Sequence, residues 1–109
     1  MELVWINDGS NPLNTTLLKR YLDNFEKTTR FTRVVYDEND GNKGIGYTLN
    51  KGINMCSYEY IIKMDSDDIM VNDRIYKQLH FMFSNPQAAI CGSQIKCFKG
   101  SINNVINVT

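Results

Sequence analysis

The chain has 109 residues, 42% of them hydrophobic and 22% charged, with twelve basic residues against twelve acidic ones. That length allows one domain, 1–109, near the lower end of what buries a substantial core, and the composition excludes a fibrous or disordered chain. Zero net charge leaves no overall field toward nucleic acid or an anionic membrane, so no nucleic-acid partner is expected and any anionic ligand has to be bound locally.

Glu2 to Asn7 (ELVWIN) is a short apolar run with β-branched and aromatic bias, stopped by the turn formers Asp8-Gly9-Ser10-Asn11-Pro12. A buried strand followed by a loop is expected. From Leu13 the apolar residues Leu13, Leu17, Leu18, Tyr21, Leu22 and Phe25 recur at helical spacing, predicting a helix that ends near Thr28. Lys27, Arg30 and Arg33 then read as a solvated helix end and its following loop, in preference to a basic patch. Phe31 to Tyr36 (FTRVVY) is a second strand candidate, and the polar, glycine-containing segment Asp37 to Gly44 a loop. Ile45, Leu49 and Ile53 repeat every fourth residue, predicting a second helix with that stripe against a core.

Tyr58 to Met64 (YEYIIKM) reads as a third strand, and it runs straight into Asp65-Ser66-Asp67-Asp68. Carboxylates this close repel one another unless a positive charge joins them. A hard divalent cation held by carboxylate oxygens and by the oxygens of a diphosphate meets that need, which points to metal-assisted transfer from a phosphate-activated donor. A merely solvated turn is the plain competing reading. A calcium loop is the other, but Ile69 and Met70 stand where an EF-hand needs an oxygen ligand and a glycine.

Asn72 or Asp73 can cap a third helix with Ile75, Leu79, Met82 and Phe83 on one face, closing at Asn85-Pro86, and Ala88 to Ile95 (AAICGSQI) is a fourth strand candidate. His80 has no second ligand-type residue at helical spacing and is read as a surface or boundary histidine. Cys56, Cys91 and Cys97, odd in number and without Cys-x-x-Cys spacing, indicate neither disulfides nor zinc and read as small core residues. With no signal peptide and no apolar run near a membrane span in length, a reducing, cytoplasmic setting is the default expectation.

Alternating strands and helices imply an α/β fold, a mainly parallel sheet with flanking helices that binds ligands at the carboxyl ends of its strands. On that reading Asp8 and Asp65, each directly after a strand, belong to one sheet edge and could face the same ligand.

Three segments in this order resemble the nucleotide-sugar-binding half of family 2 glycosyltransferases of the GT-A type, a Rossmann-like half that is incomplete here. They are ELVWINDGS, the stretch NKGIGYTLNKGI from Asn42 to Ile53, and YEYIIKMDSDDIMVNDRI; the likeness continues through Gly92 and Ser93. The resemblance implies metal-dependent, inverting glycosyl transfer from a nucleotide-diphospho-sugar, with a UDP-sugar favoured, to a glycan, lipid or protein acceptor that the sequence does not identify. It implies that Asp8 accepts from a uracil-type base, that Asp65 contacts the ribose, and that Asp67, with Asp65 nearby, binds Mg2+ or Mn2+ at the Asp-x-Asp motif. Asn42 and Lys43 are the loop residues placed to approach the donor. Asn7 departs from the family's first Asp, and Gly9, Gly44 and Gly52 are read as supplying backbone freedom and a close helix contact. The resemblance also places the general base beyond Thr109 and another strand before ELVWIN. From that we expect an inactive isolated chain, and either direct pairing of ELVWIN with YEYIIKM, a partner chain completing the sheet, or poor stability. Two other readings stay open: a non-catalytic nucleotide- and metal-binding module or remnant, and a phosphatase of the haloacid dehalogenase type with Asp65 as nucleophile and Asp67 as acid or base.

Overall fold

A computed structural model describes residues 1–108. They form a small α/β fold of two compact units, the first 1–61 and the second from 62 to the end of the described residues. In the first unit, strand β1 (Glu2–Asn7), helix α1 (Pro12–Thr28), strand β2 (Arg33–Glu38) and helix α2 (Ile45–Met55) follow one another. The second unit holds helix α3 (Arg74–Ser84) and strands β3 (Lys96–Lys99) and β4 (Ser101–Val108).

β1 and β2 pair in parallel along their whole length, from Glu2 opposite Arg33 to Asn7 opposite Glu38. The parallel direction needs a crossover, and α1 supplies it. Asn11 begins that helix by accepting the Asn14 N–H on its side chain at 2.8 Å, and Pro12 sits at the first helical position, where a missing N–H costs nothing. The broad apolar stripe of α1 divides. Leu18, Leu22 and Phe25 turn inward, Leu22 being the buried apolar side chain at 4% exposure, and Phe25 meets Phe31 edge-on at 5.6 Å. Leu13, Leu17 and Tyr21 remain exposed.

α2 covers the described range of its prediction but presents a different face. Ile45, Leu49 and Ile53, expected to meet a core, are exposed, while Thr48, Lys51, Gly52 and Met55 are half-buried. The reason is polar. Thr48 and Lys51 are drawn into hydrogen bonds at the ends of the strands, and side-chain-free Gly52 lets the helix approach Ile6, whose Cγ1 lies 3.6 Å from where a Cβ would stand. At the opposite end of the strands Glu2 accepts from Arg33 at 3.2 Å and from the Ser57 N–H, while Arg33 reaches Ser57 Oγ at 2.6 Å. Arg33 is therefore the first residue of β2 and an anchor for the chain leaving α2, a correction to its reading as a solvated loop cation.

Two strand predictions fail. Tyr58–Met64 forms no ladder among the described residues, and the boundary between the two units falls inside it. Strand propensity amounts to fitting a paired, half-covered surface, and this run finds neither; Tyr58, Tyr60, Ile61 and Met64 stay exposed. Direct pairing with β1 is absent with it. Residues 88–95 are not a strand either. After α3 the Ala88 N–H closes a turn onto Asn85 O at 2.9 Å, and the segment is held by side-chain bonds to the helix, Gln78 Nε2 to Ser93 Oγ at 3.4 Å among them. The extended structure comes later, where β3 and β4 form an antiparallel hairpin around Gly100, with an irregular register.

On α3, Ile75, Leu79 and Met82 are half-buried as predicted, whereas Phe83 is exposed. Asp73 stands at its N-cap without a side-chain cap bond and pairs instead with Lys77 at 2.6 Å. Cys97 is exposed, not a core residue, and Cys56 and Cys91 are half-buried.

Gly9 is where the fold is least tolerant of a side chain. Its φ is +81°, a region L-residues rarely occupy, and a Cβ there would lie 2.7 Å from Asn42 N and 2.8 Å from Gly41 C, both backbone atoms. Gly9→Ala is therefore expected to cost on the order of 1–3 kcal/mol, since strained backbone and a displaced loop both contribute. Urea unfolding followed by circular dichroism reads this as a lowered midpoint; an unchanged midpoint would mean that the turn and the loop are not in contact.

Candidate functional site

Because β1 and β2 run in parallel and in register, the residues after them, Asp8 and Asn39, emerge side by side, and the Asn39 N–H extends the pairing by bonding Asn7 O at 2.8 Å. Asn7 itself is buried, 4% exposed. Its amide nitrogen donates to Thr15 Oγ1 and Tyr36 OH, each at 3.0 Å, and its oxygen accepts the Ser10 N–H at 2.9 Å. Tyr36 in turn donates to Glu38 Oε2 at 2.9 Å, so its hydroxyl needs a donor on the other side. An ionised carboxylate at position 7 accepts only and could not give those two bonds. The departure from the family's first Asp thus has a structural reason.

Asp8 is the organising acid of this edge. Its Oδ1 accepts from Asn39 Nδ2 at 2.8 Å and from the Lys43 N–H at 2.7 Å, and its Oδ2 accepts from the Gly44 N–H at 3.0 Å. Asn42 Oδ1 shares the Gly44 N–H at 3.1 Å. Gly44, at φ +88°, begins α2, so one carboxylate holds the loop and satisfies a donor at a helix start, where negative charge is favoured. These bonds, the Lys43 N–H foremost and the Asn39 amide next, hold the Asp8 carboxyl below its usual 3.8 against the opposing effect of burial.

Asn39 and Lys51 complete the cluster, and no motif in the sequence had marked either. Asn39, 8% exposed, also donates to Thr48 Oγ1 at 2.9 Å and accepts from Lys51 Nζ at 3.2 Å. Lys51 bonds Glu38 O at 3.1 Å and pairs with Asp37 at 3.0 Å, which lowers the Asp37 carboxyl. The available signal was position: Asn39 directly follows β2 as Asp8 directly follows β1.

Among the residues singled out in the sequence, Asp8, Asn42 and Lys43 are brought together in the first unit. Lys43 reaches Asp8 through its backbone N–H, leaving its side chain exposed, and the Asn42 side-chain oxygen shares the Gly44 N–H with Asp8. Asp65 and Asp67 lie in the second unit. There Asp65 to Asp68 form a tight turn, closed by the Asp68 N–H on Asp65 O at 3.3 Å. Since no strand precedes Asp65, the expectation that it leaves the same sheet edge as Asp8 loses its basis. Arg74, at the start of α3, holds the approach to the turn, donating to Lys63 O at 3.1 Å and to Met64 Sδ at 3.4 Å. Asp65 pairs with Lys63 at 2.6 Å, both side chains about half exposed. The Asp67 and Asp68 side chains are exposed and make no hydrogen bond or ion pair among the described residues. No group of three or more His, Cys, Asp and Glu side chains there could hold a metal by itself. The exposed carboxylates of this turn are hard oxygen donors, the chemistry that hard divalent cations take.

Comparison with known proteins agrees across nearly the whole chain. A family model described as glycosyl transferase family 2 matches residues 1–107. The bifunctional glycosyltransferase pgtA of Dictyostelium discoideum is 41% identical over 106 residues, which cover 92% of this chain and 13% of that protein. An uncharacterized glycosyltransferase of Haemophilus influenzae is 40% identical over 65 residues, 60% of this chain and 24% of the relative. The UDP-Gal:alpha-D-GlcNAc-diphosphoundecaprenol beta-1,3-galactosyltransferase of Escherichia coli is 31% identical over 98 residues, 90% of this chain and 34% of its own length. The chain thus spans about a third or less of these three relatives. No solved structure matches it significantly. Among the described residues no helix is long and apolar enough to cross a membrane.

The Asp8 and Asp37 carboxyls, both held below 3.8, fix the sign of the acid response. A carboxyl whose pKa is lower in the folded chain stabilises it above the unfolded value, and that contribution fades as pH falls through the folded value. The urea midpoint is therefore expected to be flat from neutral pH to about 5 and to drop below about 4, with a shallower drop in Asp8→Asn. Equal acid slopes in the two proteins would show that Asp8 is not ionised in its cradle.

Proposed function

The chain belongs to glycosyl transferase family 2, and from that premise we propose that it is the donor-binding part of a metal-dependent glycosyltransferase that uses a nucleoside diphosphate sugar. The observation that carries this reading is the acidic turn, whose Asp67 carboxylate is exposed and left without a partner while its neighbour Asp65 is already paired with Lys63. Uridine as the nucleoside has the support of the Escherichia coli relative, whose name specifies UDP-galactose.

In this proposal Asp67 is the protein ligand of Mg2+ or Mn2+, with diphosphate oxygens as further ligands. The cation, when bound, supplies the positive charge that stabilises the departing phosphate. Asp65 contacts the ribose, and its pairing with Lys63 keeps the side chain directed while leaving it about half exposed. Asp8 has three of its roughly four acceptor sites taken by its own chain, and the one remaining on Oδ2 can accept a base imide N–H. The exposed Lys43 ammonium is available to a phosphate, and Asn42 holds the loop that presents it. Attack of an acceptor hydroxyl with inversion needs a general base within hydrogen-bond reach of that hydroxyl. We assign that role to no residue of this chain.

Calorimetry with UDP tests the proposal. Binding is expected with Mn2+ and not with chelator, and Asp67→Ala should weaken it at least about tenfold, the scale on which metal sites lose affinity when a supporting group is removed. Because the Asp67 side chain is exposed and makes no hydrogen bond or ion pair among the described residues, the circular dichroism and melting curve of the variant should stay those of the parent. UDP binding that is indifferent to metal, or to Asp67→Ala, would leave the acidic turn a solvated one.

A further inference from the structure

We propose that Asn39 is a positioning residue for the Asp8 carboxylate, with Lys51 fixing the amide that does the positioning. The role of Asp8 toward a nucleotide rests on the function proposed above; the positioning itself rests on the geometry of the first unit.

The Asn39 side chain is buried, and every polar atom on it is committed. Its nitrogen serves Asp8 Oδ1 at 2.8 Å and Thr48 Oγ1 at 2.9 Å, and its oxygen takes Lys51 Nζ at 3.2 Å. Amide orientation is settled by the chemistry on either side, since a reversed amide would set its oxygen against a carboxylate oxygen and its NH2 against an ammonium. Thr48 is fixed as well, because its hydroxyl donates to Gly44 O at 2.8 Å and so must accept from Asn39. The backbone of Asn39 is tied to Asn7 O, so the side chain has a rigid base at the end of β2.

The consequence falls on Asp8. With Asn39 and the Lys43 N–H both on Oδ1, that oxygen is filled, and with only the Gly44 N–H on Oδ2 the single open acceptor site is there. Asn39 thereby selects which oxygen meets a ligand and in which direction. The groups around the Asp8 carboxylate are neutral: the Asn39 amide from β2's end and two backbone N–H groups from the loop before α2, with the Thr48 hydroxyl beside them. The Lys51 ammonium stands one bond further out, on the Asn39 oxygen, where it also meets the Glu38 carbonyl at 3.1 Å and pairs with Asp37 at 3.0 Å; the Glu38 carboxylate turns away to Tyr36 and Lys19. A neutral donor at position 39 holds the carboxylate in place without pairing its charge.

Asn39→Asp keeps the shape and replaces the donor by an acceptor. In a carbon-13 titration of the Asp8 carboxyl, this change is expected to raise the midpoint by about one pH unit, and in calorimetry to weaken UDP binding about tenfold, one unit being about 1.4 kcal/mol. An unmoved Asp8 midpoint in a folded Asn39→Asp overturns the proposal. Lys51→Met keeps the question open to test if that variant does not fold. Loss of the ammonium should speed hydrogen exchange of the Asn39 side-chain amide several-fold and move the Asp8 midpoint upward, and Lys51→Arg should restore both. Unchanged exchange in Lys51→Met also overturns it. A parent chain that binds no UDP while the Asp8 midpoint still moves in the variants supports the positioning role and removes the nucleotide reading alone.

Discussion

One carboxylate closing on two backbone N–H groups and a buried amide is the interaction on which the first unit depends. Asp8 leaves β1, Asn39 leaves β2, and Gly44 opens α2, so the hydrogen bonds among them join two strands and a helix at a single point. Charge assistance makes such bonds shorter and stronger than neutral ones, and the distances of 2.7 to 3.0 Å agree. The tightness of the Gly9 turn against Gly41 and Asn42 follows from the same closure, because the loop can reach the carboxylate only if the backbones come nearly into contact.

That closure also explains how α2 is turned. Sequence periodicity weighs apolar residues and so chose Ile45, Leu49 and Ile53 for the covered face. In the folded chain the covered face is Thr48, Lys51 and Gly52, since two polar side chains find partners in Glu38 and Asn39 at the end of β2 and glycine permits the approach. A buried donor or acceptor left unpaired costs about 1–3 kcal/mol, comparable to burying an aliphatic side chain, so the polar network can decide the rotation of a helix with modest apolar demand.

Legibility in the sequence followed the locality of the cause. α1 was readable to within a residue because its start, its spacing and its end are written in consecutive positions, Asn11-Pro12 at one end and Thr28-Thr29 at the other. β1 was equally clear. Tyr58–Met64 misled because a continuous apolar run states only that a segment prefers cover, while being a strand requires a partner whose identity lies elsewhere in the chain. β4 escaped for the opposite reason: Asn103, Asn104 and Asn107 dilute the alternation of Ile102, Val105, Ile106 and Val108, and asparagine is poor in strands. Of the site, Asp8, Asn42 and Lys43 were legible as a group through the resemblance, but Asn39 and Lys51 were not. Their importance comes from a parallel register and a helix rotation, and neither is a local property.

The two acidic positions that the resemblance singled out differ in what the folded chain has already done with them. Asp8 is nearly satisfied: its own backbone has supplied the donors that a carboxylate seeks, and its remaining capacity is a single directed acceptor site. Asp67 has received nothing, and the turn that carries it is closed by backbone alone. An acid satisfied internally gives shape and direction, whereas one left in solvent keeps its full charge available at little cost, since water screens it until something binds. A polar reader of a base and a ligand of a hard cation need those two conditions respectively. The electrostatic state of each carboxylate, more than its place in a motif, is what suits it to the role proposed for it.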